Sequence, residues 1–188
     1  RPVGVVLAGG RSRRMGRDKA LLPWHGRSLV DHAVALLAGS LADVAVADGG
    51  RSYLADRLSL PDDPKAAGPA AGLLAAANAF PGRPVLALAC DLPRVPPALL
   101  DLLAEADPEF DWVVPAGERG LEPLCSRFGP GALDRMAERA RRGRFDLVGL
   151  LGEPGLRIRM LGRLELARLG VDQTAFDNLN RPEDLPVE

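Results

Sequence analysis

Lysine is nearly absent from this chain of 188 residues: Lys19 and Lys65 are the only two, against 24 lysines and arginines together. Cysteine is equally scarce. Cys90 and Cys125 stand alone, match no metal-ligand spacing, and lie in apolar segments, which reads as two buried, reduced thiols. No apolar stretch is long enough to cross a bilayer as a helix, and no leader-like segment precedes the first apolar run. Neither sign of charge dominates, the formal net charge being −1. That excludes the broad basic field with which a protein holds nucleic acid or an anionic membrane. The phosphate-binding patterns G-x-x-x-x-G-K-[ST] and G-x-G-x-x-G are both missing. These absences lead us to expect a cytoplasmic protein with neither nucleic acid nor membrane as partner.

What is present is a core. Hydrophobic residues make up 47% of the chain, enough for one domain of this length. "RPVGVVLAGG" reads as a strand buried on both faces, ending in glycines. A helix follows from Ser28 to Gly39, with Ser28 as cap and Gly39 as stop. "ADVAVAD" (42–48) reads as a second strand, with a further short one ending near "LSLPDD". "GPAAGLLAAANAF" from Gly68 is a helix, and "RPVLALACD" a strand that stops at Asp91. "PPALLDLLAEA" is a helix entered through Pro96 and Pro97. "DWVVPA" and "LEPLCSRF" read as strands, "GALDRMAERARR" as a helix, "LRIRML" as a strand with one wet face. The tail "TAFDNLNRPEDL" reads as running into a helix start at Asn180 and Pro182. Alternating strand and helix predicts one α/β domain over 1–188, a mostly parallel sheet with helices on both faces. Ligands of such sheets sit beyond the carboxyl ends of the strands. That rule selects the loop after Leu7, the turn at Asp48, and Asp91.

The loop after Leu7 is the most unusual stretch. "LAGGRSRRMGRDKALLPWHG" (7–26) sets Arg11, Arg13, Arg14, Arg17 and Lys19 against Asp18 alone. Glycines after a strand let backbone amides approach an anion closely. Arg14 as a fork and Lys19 as a point charge would neutralise a polyphosphate. Composition leaves the alternative of a surface turn followed by a solvated basic stretch. Asp91, rigidly held at a strand end, suits a hard cation such as magnesium; the alternative is a carboxylate that caps the "LPRVPP" turn. The Arg-rich segment 138–144 reads as a solvated helix face, with contact to an anion as the other option.

The same stretch closely resembles L-A-G-G-x-S-x-R-M-G-x-D-K-x-L-L of the molybdenum cofactor guanylyltransferases, within a wider group of nucleotidyltransferases. "GPAAGLLAA", "CDLP", "EPLCSRF" and "FDNLNRPED" continue the resemblance in order. It implies a three-layer, mostly parallel Rossmann-like nucleotidyltransferase fold. It also implies transfer of GMP from GTP to molybdopterin with release of pyrophosphate, magnesium as cofactor, and transient contact with cofactor-synthesis or cofactor-accepting proteins. Carried onto this sequence, Leu7, Ala8, Gly9 and Gly10 line the nucleotide, Arg14 and Lys19 hold its phosphates, and Asp91 binds magnesium. Asp48 stands where the family has an Asn that contacts guanosine. Asp62, or its neighbour Asp63, matches a nucleotide-contacting Asp. Asn178 and Asn180 match an N-x-N pattern near phosphates and metal, and Asn180 also reads as a helix cap. Leu7 and Gly9 favour guanine over the sister class that transfers cytidylate. Sugar-1-phosphate nucleotidyltransferases fit the loop less well. A non-catalytic GTP-binding adaptor is the reading from a different class.

Overall fold

The five residues of β1 (Val3–Leu7) are all buried, as a strand covered on both faces requires. Val3, Val5 and Leu7 point into one apolar cluster and Val6 into another, the period-two alternation of a pleated strand. The computed structural model describes residues 1–9, 18–172 and 174–179. The chain continues through a short 3-10 turn (Lys19–Leu21) and a small hairpin, β2 (Pro23–Trp24) and β3 (Arg27–Ser28). Then come α1 (Leu29–Ser40), β4 (Val44–Ala47), β5 (Leu58–Leu60), α2 (Pro69–Ala79), β6 (Val85–Ala89) and α3 (Pro97–Glu105). The second half holds β7 (Trp112–Gly117), β8 (Gly120–Leu121), β9 (Cys125–Phe128), α4 (Pro130–Arg141), a 3-10 turn (Val148–Gly152), β10 (Ile158–Leu161) and α5 (Arg163–Arg168).

The central sheet has the order β10-β7-β9-β6-β1-β4-β5, with β8 paired to β7. β1 pairs in parallel with β4 and β6, β4 with β5, and β10 with β7. β9 runs antiparallel to both β6 and β7. The sheet is therefore mixed but mostly parallel, with one apolar cluster under α1 and α3 and another under α2 and α4. This is the expected three-layer α/β fold. The tight approach of α1 is visible at Gly4, where a Cβ would stand 3.1 Å from Leu41 Cδ1 and 3.3 Å from Leu37 Cβ.

Several local expectations are corrected. Ser28 does cap α1, its Oγ accepting the Asp31 amide at 3.2 Å. Gly39, however, lies inside the helix, which ends at Ser40 with Leu41 as cap. Within "LEPLCSRF" only Cys125–Phe128 is a strand of the main sheet; Leu121 belongs to the β7–β8 hairpin. His25 and Gly26 both take positive φ, 45° and 77°, the geometry of a two-residue hairpin turn between β2 and β3. In the Arg-rich segment Arg139 is buried rather than solvated, with Nη2 2.7 Å from Asp146 and Nη1 3.0 Å from Glu153. A buried guanidinium needs such partners. Arg141, Arg142 and Arg144 are exposed. Asn180 and Pro182, with the helix start expected there, lie outside the described residues. No helix among the described residues is long and apolar enough to cross a membrane.

Candidate active site

A cavity opens where β1, β4 and β6 end. Leu7, Ala8 and Gly9 form one wall, Ala47 and Asp62 a second, and Ala89, Cys90 and Asp91 a third. The ladder between β1 and β6 extends one step past the strands, because the Cys90 amide donates to the Leu7 carbonyl at 3.1 Å. Asp91 is thus held by the sheet itself. Gly68, Pro69 and Gly72 bring the first turn of α2 to the same cavity. A helix N-terminus there carries a partial positive charge, which suits a phosphate group. Gly72 makes that approach feasible: a Cβ on it would meet Ala47 Cβ at 2.9 Å and Leu7 Cδ2 at 3.1 Å.

Lys19 enters from the 3-10 turn, whose cap is Asp18; Asp18 Oδ1 accepts the Ala20 amide at 3.3 Å. The Lys19 ammonium donates to Asp91 Oδ2 at 2.6 Å, both side chains being largely shielded. The sequence separates these residues by more than seventy positions; the fold joins them. Asp18 also lines the cavity and accepts a short hydrogen bond from the Tyr53 hydroxyl. Burial and the Asp18 charge push the Tyr53 phenol up to about 12, so it remains a donor.

Asp48 lies apart from the cavity that the other strand-end residues line. Its side chain is fully buried and does not line the cavity. Oδ1 accepts the Gly50 amide at 3.0 Å and the Ser59 hydroxyl at 2.6 Å, and Oδ2 the Tyr53 amide at 3.2 Å. Asp48 therefore shapes the turn that delivers Tyr53 to Asp18. Sequence reading missed both Asp18 and Tyr53. The signal available was a lone tyrosine in a chain only 4% aromatic, just past a strand end.

Of the adjacent pair, Asp62 lines the cavity. Asp63 faces elsewhere: its carboxylate accepts the Lys65 amide at 2.8 Å and the Asn78 side-chain amide at 2.9 Å. The segment 174–179 is tied to the site by the Leu179 amide, which donates to the Asp91 carbonyl at 3.1 Å. Leu179 also packs with Leu22, Trp24 and Leu29, while Asn178, one residue before it, is exposed. His32 Nε2 lies 3.0 Å from the Pro93 carbonyl oxygen, bracing the loop beyond Asp91. Gly10, Arg14 and Asn180 lie outside the described residues.

Both cysteines are buried and free. Burial, with the Asp91 charge adding to it, raises the Cys90 thiol to about 12; burial raises Cys125 further still. Neither is a nucleophile at neutral pH. Among the described residues no three His, Cys, Asp or Glu side chains gather as a metal cage. The donor set still fits magnesium, which uses one or two carboxylates and otherwise substrate phosphates and water. Asp91 is such a carboxylate and already faces a cation. The described walls enclose about 120 Å³, below the roughly 300–1,000 Å³ of whole-ligand pockets.

Residues 4–153 match the family described as MobA-like NTP transferase domain. The chain is 32% identical over 185 residues to a probable molybdenum cofactor guanylyltransferase of Pelotomaculum thermopropionicum, covering 97% of this chain and 89% of that one. It is 33% identical over 200 residues to a protein of the same name from Methanothermobacter thermautotrophicus, covering 97% and 96%. Among solved structures it resembles molybdopterin-guanine dinucleotide biosynthesis protein A of Archaeoglobus fulgidus. There the TM-score is 0.79, at 22% identity over 96% of this chain and 93% of that one.

Proposed function

The chain belongs to the MobA-like NTP transferase family, and from that premise we propose that this nucleotidyltransferase transfers GMP from GTP to molybdopterin. The observation that carries the reading is the Lys19–Asp91 pair, 2.6 Å apart, at the strand ends and facing the first turn of α2. It joins a phosphate-binding cation to a metal-binding carboxylate. The guanylyltransferase names of the relatives support guanine as the base.

In this reaction an oxygen of the terminal phosphate of molybdopterin attacks the α-phosphorus of GTP. The bond from that phosphorus to the bridging oxygen breaks, and pyrophosphate leaves. The attacking phosphate is ionised at neutral pH, so no strong general base is required. His25, in its hairpin turn, and His32, on the Pro93 carbonyl, are not needed for proton transfer. Catalysis rests on positioning and charge neutralisation. Lys19 and Arg14 hold the triphosphate, Leu7, Ala8, Gly9 and Gly10 flank the nucleotide, and Asp62 faces it from the second wall. Asp91 would hold magnesium, with Asn178 and Asn180 as the further oxygen donors the resemblance implies, and the ion would supply neutralisation of charge on the reacting phosphoryl group and on pyrophosphate. Asp48 acts through Tyr53 and Asp18 on the turn that bears Lys19.

The test is pyrophosphate release in the presence of molybdopterin, magnesium and either GTP or CTP. Release with GTP is expected. Release with CTP alone reassigns the base, and GTP binding without release identifies a non-catalytic adaptor.

A further inference from the structure

A second cavity, of about 490 Å³, lies between the β7–β8 hairpin, α5 and residues 171–172 and 174–177. It is large enough for a drug-sized organic group. It also adjoins the first cavity. Leu124 lines the first and Glu122 the second, two residues apart on the link from β8 to β9. Asp177 lines the second cavity, two residues before the Leu179 amide that bonds the Asp91 carbonyl. Two residues span at most about 7 Å. The backbone of Asp177 therefore lies within about 10 Å of the Asp91 carbonyl, a gap that the arm of an elongated ligand seated in the second cavity can span.

The lining indicates what kind of group fits. Leu166, Val171 and Phe176 supply apolar wall. Both arginines of the lining already face carboxylates: Arg119 is paired with Asp177, and Arg163 with Glu118 at 2.6 Å. Asp172 closes its own turn, accepting the Thr174 amide and hydroxyl, both at 2.8 Å. Glu122 differs. It is half-buried, and among the described residues no hydrogen bond reaches its carboxylate. Its carboxylate is not closed off by the fold and can accept donors from a ligand in place of water. With carboxylates outnumbering arginines, the cavity disfavours a phosphate and favours an uncharged flat ring with N–H groups on one edge.

We propose that this cavity seats the fused aminopyrimidinone ring of the acceptor, with the ring N–H and the exocyclic amine donating to the Glu122 carboxylate. The inference rests on the acceptor assigned above and gives it a location. The ring lies against Phe176 and Leu166, and the phosphate arm reaches past Asp177 toward Asp91. Glu122 is then a specificity residue, and it makes no contact with GTP.

The test is a fluorescence titration of the full chain with plain pterin, alongside lumazine, which carries a carbonyl in place of the exocyclic amine. Saturable binding of pterin, and weaker binding of lumazine, is expected. Glu122→Gln should weaken pterin at least about tenfold, the scale of one charge-assisted hydrogen bond, with GTP binding unchanged. Ala167→Trp, at an exposed position in the lining, should block pterin while leaving GTP binding and the circular dichroism spectrum intact. No pterin binding to the wild type, or equal binding to Glu122→Gln and Ala167→Trp, overturns the proposal. Because pterin binding is read without turnover, it stands or falls separately from guanylyl transfer.

Discussion

Lys19 Nζ sits 2.6 Å from Asp91 Oδ2, so the lysine proposed to meet a triphosphate holds the carboxylate proposed to meet a metal. Each group offsets the charge of the other. The arrangement keeps two opposite charges at a strand-end site without leaving either unpaired. It also sets Lys19 in competition with any cation for Asp91.

Two outcomes follow from that competition. Lys19→Ala and Asp91→Ala should each lower turnover by at least about a hundredfold, the scale of losing one charge-stabilising group, with the fold unchanged by circular dichroism. Lys19→Met should bind Mn²⁺ more tightly than the wild type when nucleotide is absent, measured by electron paramagnetic resonance of free Mn²⁺. Unchanged Mn²⁺ affinity would remove the competition.

Asp48 is expected to matter for stability rather than base choice. Three donors converge on its buried carboxylate: the Gly50 and Tyr53 amides and the Ser59 hydroxyl. Asp48→Ala strands them, and should cost roughly 2–3 kcal/mol in urea unfolding. The ratio of GTP to CTP use should stay as in the wild type. A shifted ratio at unchanged stability would restore the nucleotide contact.

The contrast between Asp91 and Asp48 marks how far the sequence could be read. Both end apolar strands, and both positions follow from the rule that sheet ligands sit at carboxyl ends. β1 and β6 were legible because burial on both faces leaves an uninterrupted apolar run. The direction of the Asp48 side chain depends on Ser59 and Tyr53, and no local pattern encodes that meeting. Gly39 was misread as a helix stop because its exposed site costs α1 little; a Cβ there would meet nothing within 4 Å. Helix α5 carried no motif, and although Glu122 opens "EPLCSRF" and Phe176 opens "FDNLNRPED", neither motif marks a cavity wall by itself. Glu122, Leu166 and Phe176 come from three separate segments, and only the fold assembles them.

Gly72 fixes the distance between α2 and the sheet. Gly72→Ala gains helix propensity, about 1 kcal/mol, but drives a Cβ to 2.9 Å from the Cβ of Ala47, which cannot rotate away. Overpacking of that kind costs about 1–3 kcal/mol. The expected result is a lower Tm together with weaker GTP binding, because the first turn of α2 must move back from the cavity. Tighter GTP binding would contradict this packing argument.

Cys90 lines the first cavity yet should resist alkylation. Its thiol is raised to about 12 by burial and by Asp91, so almost no thiolate exists at pH 8. Iodoacetamide should label the native chain slowly at both cysteines and the urea-unfolded chain readily, read by mass spectrometry. Fast native labelling at Cys90 would show that the wall opens.

Glu122 gives a pH dependence whose sign can be worked out. Burial holds its carboxyl above the ordinary value of 4.5; Arg119 opposes this and Asp177 adds to it. Between the unfolded and folded values the native state binds more protons than the unfolded state. Stability from this group therefore falls as pH rises through that window, and the penalty is complete above the folded value. Glu122→Gln removes the charge and so removes the penalty. The Tm of the variant minus that of the wild type should be near zero at pH 4 and become positive toward pH 7. The same substitution is expected to weaken pterin binding, so the variant gains stability as it loses its ligand. That opposition is what a carboxylate kept for recognition produces, whereas one kept for structure would lower Tm when replaced.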